Sequence, residues 1–175
     1  MITNEKGLLR VYTGNGQGQT TTAMGMAVKA LSEGKSVYVG QFIKNELDEE
    51  SLLGHQYDSL HIEQLGFGGF EDRAPNEDDR AAALAGLDRC KTLMASGMYD
   101  MIVMDELCVA IHYGLLTCEQ VMEMLSLRPA HTEVIITGAD APQWLIDAAD
   151  SVTEMHEIKH TANDMEAMLC DAINQ

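Results

Sequence analysis

Positive charge is what this 175-residue sequence has least of: 11 Lys and Arg stand against 28 Asp and Glu, a formal net charge of -17. An acidic surface of that size repels phosphate backbones. No Lys/Arg cluster with interleaved aromatics counters the repulsion, so nucleic acid is excluded as a partner. No apolar run approaches membrane-spanning length, and Met1–Lys6 has neither the basic start nor the apolar core of a signal peptide. These absences predict a cytoplasmic protein with no membrane partner. The 4 cysteines, Cys90, Cys108, Cys118 and Cys170, form no CxxC and no Cys/His pairing. They read as small buried thiols in a reducing compartment, not as a zinc site or a disulfide framework. Aromatics are scarce at 5% and prolines number only 3, yet 46% of the residues are hydrophobic. That content excludes wholesale disorder and predicts one domain over 1–175.

What the chain does have is alternation of strand-like and helix-like segments. Leu8–Thr13 is a short β-prone run that ends in a glycine loop, and Thr20–Ser32 reads as a helix stopped at Gly34. Ser36–Phe42 is a second buried strand, so the first elements form a βαβ unit. The acidic stretch 44–59 reads as a mobile surface segment, and His61–Leu65 as a third strand leading into a glycine-rich loop over Gly66–Phe70. Asn76 is placed to cap a helix in which Leu84, Leu87, Cys90 and Met94 recur up to Gly97. The apolar run Met101–Met104 predicts a buried strand that delivers Asp105 and Glu106 at its C-terminal end. There follow a short helix ending near Gly114, a helix over Cys118–Leu127, a strand over Glu133–Thr137, a helix opened by Pro142 and a last strand over Met155–Lys159. Met165, Met168, Leu169 and Ala172 suit a C-terminal amphipathic helix. The alternation predicts an α/β fold with a mostly parallel sheet and helices on both faces.

The chemistry concentrates at Gly14, Asn15, Gly16, Gln17, Gly18, Gln19, Thr20 and Thr21. This loop sits between a strand and a helix, where glycines let successive amides turn on a phosphate. The usual GxxxxGK pattern fails twice, because Thr13 holds the first glycine position and Gln19 the lysine position. Context supports phosphate binding all the same. Thr20 occupies the position that ligates Mg²⁺ in such loops, and Asp105-Glu106 follows later as the metal-holding partner. Glutamine donates hydrogen bonds but brings no charge. Losing the lysine ammonium removes charge-assisted bonds of ~1.5–3 kcal/mol each, so nucleotide affinity falls roughly tenfold to a hundredfold unless Lys44, just past the second strand, compensates.

The segments TGNGQGQTTTAMGMA, VYVGQFIK, YDMIVMDE, AIHYGLL, RPAHTEVIITG, ADSVTEM and IKH, in that order, resemble the ATP:cob(I)alamin adenosyltransferases of the CobA/BtuR/CobO type. The resemblance covers most of the chain. It implies a P-loop NTPase-like fold and transfer of the 5′-deoxyadenosyl group of ATP to the Co(I) of cobalamin or another corrinoid, with triphosphate released. It also implies that Gly14–Thr21 cradle the triphosphate, that Thr20 with Asp105 or Glu106 lies near Mg²⁺, and that Asn15 and Gln41 are further contacts. No catalytic acid or base is required. Phe67 matches the phenylalanine of the family's GFTW loop, which helps displace the corrinoid's lower ligand, and Phe70 stands for its tryptophan. A homodimer and a partner reductase are implied as well. The chain departs from the family pattern at Gln17 and Gln19, at Ala139 in place of an arginine, and after His160, where the pattern GIxAQxGIE is missing. These departures keep open an alternative, a non-catalytic paralogue that binds a corrinoid, a nucleotide or a partner protein. A generic P-loop hydrolase or kinase is a third reading, opposed by the missing lysine.

Overall fold

Val37–Gln41 and Met101–Asp105 are buried at every position, the mark of strands covered on both faces of a parallel sheet. The computed structural model describes residues 6–43, 57–68 and 73–159. In chain order the elements are β1 (Leu9–Gly14), α1 (Gln19–Ser32), β2 (Val37–Gln41), β3 (Leu60–Gln64), α2 (Glu77–Ser96), β4 (Met101–Asp105), α3 (Leu107–His112), α4 (Cys118–Ser126), β5 (Glu133–Thr137), α5 (Gln143–Ala148) and β6 (Ser151–Met155). The six strands pair in the order β3-β2-β4-β5-β1-β6, and every pairing is parallel. The expected α/β architecture is what the chain adopts.

The period-2 alternation of the strands divides the core into two layers. On one face, α1 lays Ala23, Ala27 and Leu31 against Val37, Val39, Met101, Val103 and Ile135. On the other, Leu87, Cys90 and Met94 of α2 and Val121 and Met124 of α4 pack with Ile102, Met104, Val134 and Ile136. Helix α2 begins where the sequence places it. The Asn76 side chain accepts from the amides of Asp78 and Asp79, the Asp79 carboxylate accepts in turn from the Asn76 amide, and Gly97 closes the other end. Thr117 and Gln120 form the same reciprocal cap on α4. Cys90 and Cys108 are buried as expected, whereas Cys118 is half-buried.

One strand departs from the expectation. The last strand is Ser151–Met155, not Met155–Lys159, and only Met155 is common to both. Among the described residues it is an edge strand paired with β1 alone, and its middle residues are exposed, so it carries no apolar pattern. Its position is set by Asp150 instead, which donates its amide to the Leu9 carbonyl at 2.9 Å and accepts the Leu9 amide on Oδ2 at 2.8 Å. Residues 44–56 of the acidic segment, Phe70 in the glycine-rich loop and the C-terminal Met165–Ala172 stripe lie outside the described residues. Among those described, no helix is long and apolar enough to cross a membrane.

Candidate functional site

Because all six strands run the same way, their C-terminal ends share one edge of the sheet, where ligands of open α/β sheets bind. The strand order puts β5 between β4 and β1. Three ends thus meet: the glycine loop after β1, Asp105 at the end of β4 and Thr137 at the end of β5.

Asp105 is the hub, only 1% exposed. Its Oδ1 accepts from the hydroxyls of Thr20 and Thr137, both at 2.7 Å, and its Oδ2 faces the Gln41 amide nitrogen at 3.4 Å. The Glu106 amide donates to Thr137 Oγ1 at 3.0 Å, completing a chain from backbone through hydroxyl to carboxylate. Gln41 arrives because β2 and β4 pair in register with Gln41 opposite Asp105. Glu106 itself takes the left-handed conformation, φ 61°, as it turns the chain from β4 into α3. Of the two acids flagged in the sequence, Asp105 is the one bonded to Thr20.

Helix α1 starts directly from the loop. Its N-cap is Gly18, with φ 112°, no side chain caps it, and its first turn holds no acid, in contrast to the boxed N-termini of α2 and α4. The partial positive charge of that helix end faces the loop uncompensated by a carboxylate of its own. At the lysine position, Gln19 Nε2 folds back to the Gly14 carbonyl at 2.8 Å. The glycines serve backbone packing. The Gly16 amide donates to the Met155 carbonyl at 2.8 Å, and a Cβ on Gly14 would lie 2.2 Å from that same oxygen. Asn15 and Gln17 are exposed, Gly16 is buried and Thr21 lies on the open side of α1. Lys44 lies outside the described residues.

Beside the loop opens a cavity of about 570 Å³ lined by Gly14, Asn15, Asp140, Ala141, Glu154 and His156 among others. The Ala141 amide donates to Thr13 Oγ1 at 3.1 Å and ties this wall to β1. Behind the site, burial together with the Glu106 charge pushes the Cys108 thiol up to about 12, so it supplies no thiolate nucleophile at neutral pH. Phe67 stands at the same sheet edge after β3 but outside this cluster. It is 53% exposed and borders a separate cavity of about 440 Å³ at the start of α2. Phe70 lies outside the described residues.

Sequence reasoning missed Thr137, Asp140, Glu154 and His156. Thr137 had one available signal: it ends an apolar strand and precedes Gly138, the position from which a parallel strand delivers a side chain to the ligand edge. Asp140 and His156 sit on connections with no motif spacing, and Glu154 lies in β6, whose exposed residues carry no apolar pattern.

The family model for ATP:corrinoid adenosyltransferase BtuR/CobO/CobP matches residues 5–170. The corrinoid adenosyltransferase CobA of Salmonella typhimurium is 38% identical over 158 residues, which span 89% of this chain and 80% of that protein. The corrinoid adenosyltransferases of Escherichia coli K12 and Pseudomonas aeruginosa are 36% and 35% identical over 159 residues, 90% of this chain and 80% and 78% of theirs. The fold alone is shared with the flagellar accessory protein FlaH of Methanocaldococcus jannaschii, at a TM-score of 0.59 and 12% identity over 89% of this chain and 74% of that one. With the family model spanning nearly the whole sequence and relatives above 30% identity covering nine-tenths of it, the chain belongs to the ATP:corrinoid adenosyltransferase BtuR/CobO/CobP family.

Proposed function

We propose that this protein transfers the 5′-deoxyadenosyl group of ATP to the Co(I) of a corrinoid. The observation that carries the reading is the meeting of the Thr20 hydroxyl with the buried Asp105 carboxylate, 2.7 Å apart, at the uncapped start of α1. Loop amides and the α1 N-terminus hold the triphosphate, the group that leaves. The carboxylate-lined cavity beside Gly14 repels phosphate and accepts hydrogen-bond donors such as ribose hydroxyls, which orients the nucleotide with its phosphates toward Thr20. The reaction is a displacement at C5′. The electron pair of Co(I) forms the Co–C bond, the C5′–O bond breaks, and its electrons leave on triphosphate. The nucleophile belongs to the corrinoid, so the protein contributes positioning and electrostatics, with no acid or base.

Thr20 and Asp105 offer hard oxygen donors of the kind Mg²⁺ takes and would hold the ion beside the triphosphate. Among the described residues no cluster of three His, Cys, Asp or Glu side chains forms a cage. When bound, Mg²⁺ supplies countercharge to the leaving triphosphate. Gln41 and Glu106 flank these donors, and Phe67 faces the corrinoid. From the family resemblance the same reading takes a single-domain homodimer in the cytoplasm, served by a separate reductase.

The deciding experiment is an anaerobic assay with chemically reduced cob(I)alamin, ATP and Mg²⁺, which follows loss of the Co(I) spectrum and formation of the light-sensitive adenosyl product. Product and triphosphate at a protein-dependent rate are expected. Folded protein that yields no product but binds cobalamin would replace this reading by the non-catalytic one that the glutamines at 17 and 19 favour.

A further inference from the structure

We propose that Arg73 is a positioning residue for Phe67, holding that ring at the mouth of the α2 cavity where it meets the corrinoid; this rests on the adenosyltransferase reading above. The Arg73 guanidinium forks onto Asp79, with Nη1 donating to Oδ2 at 2.5 Å and Nη2 to Oδ1 at 2.8 Å. Nη2 also donates to the Gly68 carbonyl at 3.3 Å. Asp79 is a fixed anchor. Its side chain is 1% exposed, and it already accepts the Asn76 amide at 2.8 Å in the α2 capping box. Arg73, aided by that amide, keeps its carboxyl below the ordinary range, so the pair stays charged at neutral pH.

Phe67 is therefore gripped on both sides in sequence. Gly68 is tied through Arg73 to α2. Gly66 lies so close to the end of β2 that a Cβ there would sit 1.8 Å from the Phe42 carbonyl oxygen. Between the two, the Phe67 ring stands 53% exposed and lines the 440 Å³ cavity with Arg73, Asn76, Asp78 and Ala81. An exposed aromatic held this way pays little ordering entropy when a flat apolar ligand covers it. A corrinoid macrocycle offers a flat apolar face that matches such a ring. Only a forked cation can bridge both Asp79 oxygens and the Gly68 carbonyl at once. Lysine keeps the charge beside Asp79 and loses the bridge.

The test compares Arg73→Lys, Phe67→Ala and the double variant. It measures the Kd of cob(II)alamin by visible difference spectra in the presence of MgATP, the Kd of MgATP alone, and the thermal midpoint. Arg73→Lys is expected to weaken cob(II)alamin binding about threefold to tenfold, with MgATP affinity and midpoint held, and the double variant to be no worse than Phe67→Ala. Additive losses, or a fall in MgATP affinity and midpoint together, would show Arg73 to be only a cap of α2 and overturn the proposal. So would unchanged cob(II)alamin binding by Arg73→Lys where Phe67→Ala binds weakly. Unchanged binding by Phe67→Ala would instead remove the corrinoid contact itself, and the positioning role with it.

Discussion

The side-chain amide of Gln19 donates to the carbonyl of Gly14 at 2.8 Å, so the residue in the lysine position closes the glycine loop on itself. Shape and charge are thereby separated: the loop keeps an internal strut and lacks an ammonium. Restoring the charge by Gln19→Lys is expected to tighten MgATP binding about tenfold to a hundredfold, the equivalent of one charge-assisted bond. Gln19→Ala removes the strut without adding charge and weakens binding instead. Calorimetric titration reads both, and an unchanged Kd in the lysine variant would show that the loop does not present this position to phosphate.

Thr20 shares Asp105 Oδ1 with Thr137, each at 2.7 Å. Replacing Thr20 by Val keeps the volume and deletes the hydroxyl, while Thr137 and Gln41 still satisfy the buried carboxylate. The fold should persist and the Mg²⁺ concentration for half-maximal adenosyl transfer should rise about tenfold or more. Thr20→Ser restores the oxygen and should restore the metal response. A Thr20→Val variant with the parental Mg²⁺ curve would place the metal elsewhere.

How much of this was legible beforehand depends on whether a residue's role is local. The helix over Glu77–Ser96 was, because Asn76, its acids and its apolar spacing are all written in one stretch. Thr20 and Asp105 were legible as types in the right order, since a strand–loop–helix unit and a later strand ending in acid are local patterns. Their bond spans 85 positions and depends on β5 lying between β4 and β1, which no local pattern records. Thr137 was missed for that reason. The edge strand β6 was misplaced because exposure erases the apolar alternation by which strands are read. The glycines at 14 and 16 were read as serving the phosphate alone, because their contacts come from residues near 155, far along the chain.

Glu63 accepts two bonds from Arg89, at 2.9 and 2.8 Å, and one from the Tyr38 hydroxyl at 2.8 Å. Arg89 first, then His61 and Tyr38, lower its carboxyl to about 2 against the opposing effect of burial. A carboxyl depressed in the folded state stabilises above its unfolded pKa, and that contribution drains away as pH falls from about 4.5 toward 2. Because Arg89 is 43% exposed, water screens the pair, and a contribution on the order of 1 kcal/mol is expected. Urea denaturation of Glu63→Gln should show a deficit against the parent at pH 7 that narrows by pH 3. A deficit constant across that range would assign the effect to packing.

Two glycines separate the demands of the loop from those of the helix beside it. Gly14 has φ +107°, and a Cβ there would meet the Met155 carbonyl oxygen at 2.2 Å, so Gly14→Ala is strained in backbone and in contact. It should cost about 1–3 kcal/mol, push β6 away from β1 and weaken MgATP binding with it. Gly25, in the middle of α1, is exposed and has nothing within 4 Å of a built Cβ. Alanine there gains helix propensity without a clash, so Gly25→Ala should stabilise by roughly 0.5–1 kcal/mol, a rise of about 1–4 °C in Tm for a domain of this size. MgATP affinity should be unchanged, since the substitution leaves the loop alone. Thermal melts with and without MgATP measure both. If Gly14→Ala held its Tm and its affinity, β6 would not be the wall against which the loop is set, and the cavity beside Asn15 would lose the side that Glu154 and His156 provide.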